Sequence, residues 1–314
     1  MILNKTYTYA MPEIASSLSK TSCIINPAAA NYKWRRSRKL REHLHREFPG
    51  QIFDQSNNKE GIIDLARTLC MDRNIIVAAG GDGTLADVMQ GIHNSGRAKD
   101  VTLGIVPLGS GNAVRSSLLI PKQTKMALRV LKKGRPRYID LIDVEGRIAN
   151  FVSVGATAKV SYEKTLHPIP GMLGHILAAR ILFTCPREWM DIELFDGLED
   201  SGERFDRKKI RMKILDCVVN KTNHFGYSWL IAPKARIDDG YLDITLFDMR
   251  AYNYFLYFPL IYIGLFQKVL KHYKAKKVIL RGKNLYVQYN GETLETRDKV
   301  ELTVLPGALK IISP

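Results

Sequence analysis

Along the first third of the chain, short apolar runs alternate with stretches whose apolar residues return every three or four positions. Residues 22–26, 75–79 and 101–106 read as buried strands. Leu40, Leu44 and Phe48 form one stripe of a helix whose other positions are rich in Arg and Lys, and residues 61–69 and 85–92 carry two further helical patterns. Strands alternating with helices predict a parallel sheet covered on both faces. From Tyr138 the pattern changes to short strand-like runs at 138–144, 148–154, 191–195, 211–218, 229–232, 242–247, 277–280, 285–289 and 300–305. Turn pairs such as Asp239-Gly240 and Asn290-Gly291 separate some of them, as in an antiparallel β domain built as a sandwich. A helix near 172–184 interrupts the series, and the polar stretch 196–209 reads as a hairpin excursion.

The chemistry concentrates where strands end. Gly80-Gly81-Asp82-Gly83-Thr84 follows a buried strand and opens a helix. Such a turn exposes backbone N–H groups at the positive end of a helix dipole, which suits phosphate. Asp82 would repel phosphate unless a divalent metal, a Lys or an Arg lies between them. The loop therefore suits a metal–nucleotide, or a reaction in which Asp82 handles a hydroxyl proton; a plain structural turn is the alternative. The loop does not end in Gly-Lys-Ser/Thr, so it is no P-loop, and no GxGxxG follows the first strand. A second glycine-rich turn, Pro107-Leu108-Gly109-Ser110-Gly111-Asn112, ends the next strand. Both turns fall at the carboxyl ends of strands, where open α/β sheets bind ligands.

Composition narrows the setting. The chain has 314 residues, 46% of them hydrophobic, enough for two cored domains. Cys23, Cys70, Cys185 and Cys217 stand far apart, so neither a disulfide framework nor a zinc site is indicated, and a reducing compartment is expected. The net charge of +16 predicts attraction to polyanions such as anionic lipid headgroups or phosphorylated substrates. No aromatic-basic module points to nucleic acid. The first 20 residues hold no apolar core of signal-peptide length, and the longest apolar run, 254–266, is interrupted by Pro259 and Gly264. A spanning helix needs roughly 20 apolar residues. A cytoplasmic chain, peripheral to a membrane, is expected. The run 254–266 with Lys268, Lys271, Lys274, Lys276 and Lys277 reads either as an interfacial patch or as a core helix with a solvated basic end.

Five spaced blocks together resemble the diacylglycerol kinase catalytic-domain family, which includes bacterial lipid kinases and sphingosine and ceramide kinases. They are Ile25-Asn26-Pro27-Ala28-Ala29, the Gly80–Thr84 turn, the turn from Pro107 to Asn112, the stretch from Ala232 to Asp243, and Gly291-Glu292. The tail from Pro306 to Ile312 is similar to the family's closing strand. The resemblance implies an ATP-dependent lipid kinase. Residues 1–137, rejoined by 306–314, would form an α/β nucleotide-binding domain like that of phosphofructokinases and NAD kinases. Residues 138–305 would form the β-sandwich lipid-substrate domain, with the nucleotide in the cleft between.

By that resemblance, Asn26, Pro27, Ala28, Ala29 and Ala30 line the nucleotide, and Ser56 contacts it. Gly81, Asp82, Gly83, Thr84, Leu85, Ala86 and Asp87 wrap the phosphates, and Ser110 and Asn112 complete the site. Asp239 with the carbonyls of Arg236 and Tyr241 matches a structural Mg2+ site, although Asp239-Gly240 also reads as a plain hairpin turn. Glu292 matches the general base that accepts the acceptor-hydroxyl proton, with Asp82 as the other candidate. Partners implied are a lipid substrate and an anionic membrane surface; a homodimer is compatible.

The chain departs from the family at Ala30 for Gly, at Ala86-Asp87 for Asn-Glu, at Ala113 for Asp and at Asn290 for Asp. Residues 155–161 carry no carboxylate to hold a sphingoid amine, and Lys159 would repel one. A neutral or anionic hydroxyl lipid such as diacylglycerol or phosphatidylglycerol is therefore favoured over sphingosine, with a sphingoid or ceramide kinase as the alternative. Two other readings stay open: an NAD kinase-like enzyme, against which no Asn-Glu pair follows the loop, and a non-catalytic nucleotide- and membrane-binding protein.

Overall fold

The computed structural model describes residues 20–27, 35–48, 52–54, 58–109, 113–166, 180, 182–225, 230–265 and 269–314. In chain order the elements are β1 (Thr21–Ile25), α1 (Arg38–Glu47), β2 (Ile52–Asp54), α2 (Lys59–Leu69), β3 (Ile75–Gly80), α3 (Asp82–Asn94), β4 (Thr102–Pro107), α4 (Ala113–Ser117) and α5 (Thr124–Lys133). Then come β5 (Arg135–Val144), β6 (Arg147–Ala149), β7 (Phe151–Gly155), α6 (Ala156–Leu166), β8 (Glu188–Glu199), β9 (Arg204–Ile214) and β10 (Asp216–Asn220). The last are β11 (Leu242–Phe247), α7 (Ala251–Tyr262), β12 (Lys271–Tyr289) and β13 (Glu292–Ser313).

The alternating first third forms a parallel sheet in the order β2-β1-β3-β4. β1, β3 and β4 are buried along their whole lengths, which is why they read as unbroken apolar runs. One face is covered by α2 and α3, through Ile62, Ala66, Val88, Met89 and Ile92. The other is covered by Leu40, Leu44 and Phe48 on and just after α1, and by Leu128 and Leu131 of α5. Gly91 lets α3 approach α2 closely, since a Cβ there would lie 2.4 Å from the Ile63 carbonyl.

The remaining strands pair mainly antiparallel and curl around a second core of Val152, Val154, Ile192, Leu194, Val219, Ile244, Val278, Leu280 and Leu302. The long strand β12 pairs in turn with β11, β8, β13 and β7. β13 runs through both parts. Its first half pairs with β12, its second half with β5, and Lys310 and Ile311 lie parallel to β4. The passage between them is a register shift between Leu305 and Leu309, around Pro306 and Gly307.

Several sequence expectations are corrected in detail. The run 148–154 is two strands broken at Asn150, and 211–218 is two strands broken at Leu215. Residues 230–232 are not strand. Of the helix expected at 172–184, only Arg180 and residues 182–184 are described, and they are helical. The lysines after residue 270 lie on β12, not on a helix end, and three of them are ion-paired: Lys271 with Asp248, Lys274 with Asp239 and Asp243, Lys277 with Glu301.

Candidate active site

The carboxyl ends of β1, β3 and β4 lie side by side, with Ile25 opposite Ala79 and Gly80 opposite Pro107. The two glycine-rich turns that leave β3 and β4 touch backbone to backbone. The N–H groups of Leu108 and Gly109 donate to the Gly80 carbonyl at 2.9 and 3.1 Å. A Cβ on Gly109 would stand 2.5 Å from the Gly81 Cα, so a glycine is required there. A Cβ on Gly80 would strike the buried Thr84 side chain at 2.5 Å. Gly83, by contrast, has nothing within 4 Å and faces open space at the start of α3.

Asp82 occupies the first turn of α3, with Gly81 as a cap that offers no side chain. Its Oδ1 accepts the Ala113 N–H at 2.8 Å, tying the β3 turn to the start of α4. Arg115 lies near enough to feel its charge. Thr84 and Leu85 are buried, so they set the loop's shape, and Asn26 donates its N–H to the Ala79 carbonyl at 3.2 Å. Pro27 is buried beside it. Ala28, Ala29, Ala30, Ser56, Ser110 and Asn112 lie outside the described residues.

A second cluster forms where β12 turns into β13. Glu292, 56% exposed, stands 3.4 Å from Lys59 at the start of α2. Asn58 caps that helix by accepting the Glu60 N–H at 3.0 Å. Lys59 also lies over the Tyr289 ring, 5.4 Å from its centroid. Burial pulls the Lys59 ammonium down in pKa, but Glu292, Tyr289 and Asp87 outweigh it and leave the pKa raised. Burial pushes the Asp87 carboxyl up to about 7; Lys59 opposes this, while Glu292 and Glu60 add to it. Asp87 thus couples electrostatically to Glu292 across the boundary between the parallel sheet and the β-rich part. Lys59 carries no motif signal, being an ordinary first-turn lysine in sequence.

Asn290 holds the turn that presents Glu292. Its Oδ1 accepts the Asn150 N–H at 2.9 Å, its Nδ2 donates to the Ile148 carbonyl at 3.1 Å, and its backbone N–H donates to Phe151. An aspartate could accept from Asn150 but not donate to Ile148. Asn290 and Gly291 both have positive φ, 49° and 92°, as a tight hairpin turn requires.

Arg236, Asp239 and Tyr241 fall on the loop before β11, beside three residues with no motif signal of their own. Asp140 of β5 accepts the Gly240 N–H at 2.7 Å and the Gly307 N–H at 2.9 Å. Lys221, just past β10, is fully buried and reaches Asp239 Oδ1 at 2.9 Å, the Tyr241 carbonyl at 2.5 Å and Asp140 Oδ2 at 3.1 Å. Lys274 takes the other Asp239 oxygen. The Asp239 carboxyl is raised by burial, but the two lysines more than offset this and hold its pKa below the usual range. Both Asp239 oxygens and one of the two carbonyls expected to ligate Mg2+, that of Tyr241, are thus engaged by ammonium groups, and the site does not fit a structural dication.

Residues 155–161 lack a carboxylate, yet Asp216 of β10 supplies one beside them. Its Oδ2 accepts the Thr157 N–H at 2.9 Å and so caps α6. Burial pushes this carboxyl up to about 7.

Residues 20–144 match the family model for the diacylglycerol kinase catalytic domain, and residues 202–313 match that of the YegS C-terminal NAD kinase beta sandwich-like domain. Residues 20–144 thus carry a diacylglycerol kinase catalytic domain, followed by a YegS-type C-terminal domain. Among curated relatives, a diacylglycerol kinase of Staphylococcus saprophyticus is 26% identical over 186 residues, 58% of this chain and 57% of that protein. A diacylglycerol kinase of Staphylococcus carnosus is 26% identical over 60% of this chain and 58% of its own length, so the chain spans under two thirds of these relatives. A Pseudomonas aeruginosa protein described as a probable lipid kinase, YegS-like, is 28% identical over 76% of both chains. A solved diacylglycerol kinase structure from Bacillus anthracis superposes with a TM-score of 0.68 at 19% identity, covering 94% of this chain and 97% of that one. That likeness shows a shared fold.

Proposed function

We propose that this chain is an ATP-dependent lipid kinase that transfers the γ-phosphate to the hydroxyl of a diacylglycerol or a related glycerolipid. The observation that carries the reading is the meeting of two glycine-rich turns at the ends of β3 and β4, with Asp82 at the N-terminus of α3 and, further along α3, Asp87 coupled to Lys59 and Glu292. The exposed amides at the start of α3 suit the nucleotide phosphates. Mg2+ bound with the nucleotide would neutralise phosphate charge, with Asp82 and Asp87 the carboxylates available to it. Glu292 is the exposed carboxylate suited to take the acceptor proton, with the Lys59 ammonium 3.4 Å from it. Asp82, whose Oδ1 is already engaged by Ala113, suits a positioning role better than that of base.

The acceptor reading favours an uncharged headgroup. Asp216 is 1% exposed, with Oδ2 accepting from Thr157, and its burial separates it from an ammonium group of a lipid headgroup. Membrane contact is supported by α7 and the turn after it. Leu256 and Leu265 are each 70% exposed, and Tyr252, Phe255, Phe258, Leu260, Tyr262 and Ile263 are exposed with them. An exposed apolar surface of this kind suits a bilayer interface. An open cavity of about 430 Å³ at the start of α7 is rimmed by Arg187, Lys213 and Arg250, cations suited to anionic headgroups. No helix among the described residues is long and apolar enough to cross a membrane.

The test is transfer of labelled γ-phosphate from Mg–ATP to mixed-micelle diacylglycerol, monoacylglycerol, phosphatidylglycerol, ceramide and sphingosine. Label is expected on a glycerolipid, with loss of at least two orders of magnitude in Glu292→Gln and a smaller loss in Asp82→Asn. Label on sphingosine or ceramide alone, or none on any lipid while ATP still binds, would overturn the reading. Leu256→Glu with Leu265→Glu should weaken binding to anionic vesicles while leaving the melting temperature unchanged.

A further inference from the structure

Lys221 is among the largest fully buried side chains of the molecule. A lysine is almost never buried completely unless its charge is matched. An ammonium group has three N–H donors and no acceptor. Here Asp239 Oδ1 at 2.9 Å and the Tyr241 carbonyl at 2.5 Å accept from it, and Asp140 Oδ2 forms a third contact, an ion pair at 3.1 Å. Two of the three, the Asp239 carboxylate and the Tyr241 carbonyl, belong to the ligand set that the family resemblance assigns to a structural Mg2+.

Asp140, Asp239 and Asp243 converge on Lys221 and Lys274. Two ammonium groups offset two of the three carboxylate charges here. The two ammonium groups together bring the charge of one divalent ion. A dication added to them would stand within contact distance of two like charges in a buried setting, where repulsion is poorly screened. Magnesium also demands near-octahedral oxygen ligation at about 2.0–2.1 Å and keeps several waters, for which a fully enclosed ammonium leaves no room.

The cluster has a mechanical role. Asp140 joins Gly240 in the loop before β11 to Gly307 at the register shift of β13, and Lys221 closes the triangle to Asp239. Lys274 anchors the same aspartate to β12. We propose that the Lys221 ammonium, supported by Lys274, replaces the structural divalent cation of this family, so that this loop is fastened without metal.

The decisive measurements need no turnover. Nucleotide-free protein is titrated with Mn2+ and followed by electron paramagnetic resonance, and melting temperatures are compared in magnesium and in EDTA. The proposal expects a melting temperature independent of either addition and no bound Mn2+ that Asp239→Asn abolishes. Saturable Mn2+ binding lost in Asp239→Asn would overturn it. Lys221→Ala removes the ammonium and leaves Asp140 and Asp239 facing a vacated space. That variant should melt lower than the wild type and recover part of the loss when Mg2+ or Mn2+ is added. A Lys221→Ala protein as stable as the wild type would also overturn the proposal. Should Lys221→Ala not fold, the wild-type Mn2+ titration decides alone. These outcomes are independent of whether the chain phosphorylates lipid, since neither reads activity.

Discussion

At the scale of single residues, three glycines of two neighbouring turns have different tasks. Gly80 and Gly109 are required by the chain itself, because a Cβ on either would collide within 2.5 Å. Gly83 meets nothing and lies in the first turn of a helix, where alanine is the better helix former by up to about 1 kcal/mol. Gly83→Ala should therefore leave the melting temperature of the free protein unchanged or slightly higher, while weakening ATP binding at least tenfold by filling the space intended for phosphate. Equal ATP affinity in the variant, measured by calorimetry, would move the nucleotide elsewhere. The glycine turn was legible in the sequence because glycine between a buried strand and a helix is conspicuous. Lys59, Lys221 and Asp140 were not, because an isolated lysine or strand aspartate looks the same in sequence whether it is buried or solvated. Asn290 was legible as a departure from the family's acidic residue; its two-way hydrogen bonding emerges only once Ile148 and Asn150 are brought to it.

At the scale of elements, α6 has no capping side chain in its own sequence and borrows Asp216 from β10. The borrowed carboxylate is fully buried, and its pKa rises from 3.8 in the free state to about 7. Between those values the folded chain keeps a proton that the unfolded chain has released, so this group makes stability fall as pH rises from about 4 to about 7. Asp216→Asn keeps an oxygen for the Thr157 N–H but does not titrate. Its unfolding free energy, from urea titrations at intervals across that window, should fall less steeply with pH than the wild type's; identical slopes would show that Asp216 ionises freely. Helix α7 was visible as an apolar run, but its exposure was not. Period alone does not say which side of an all-apolar helix finds a partner. Strands β12 and β13 were read as fragments, because Gly282-Lys283-Asn284 and Pro306-Gly307 interrupt alternation at register shifts that the strands pass straight through.

At the scale of the whole molecule, the change of pattern near Tyr138 announced two kinds of architecture, and both are present. Their continuity could not be read from periodicity. The β-rich part shares a hydrogen-bonded sheet with the parallel part through β13, whose residues enter both cores: Val300, Leu302 and Val304 in one, Leu309 and Ile311 in the other. Asp140 pins the crossing at Gly307. Calorimetry of the nucleotide-free chain should accordingly give one unfolding transition, with the calorimetric and van't Hoff enthalpies in agreement. Two resolved transitions would mean that β13 does not couple the parts.

The 22-residue span of β13 has a bearing on how the protein is made. A ribosome delivers the chain from its amino end, so the parallel strands emerge long before the ribbon that seals both sheets. Until residues 292–313 have been synthesised, β5 and one side of β12 lack their neighbour, and β4 presents an open edge. The nascent protein must therefore spend most of its synthesis with unpaired strands exposed. Stalling the ribosome before and after this segment should separate a protease-sensitive chain from a resistant one.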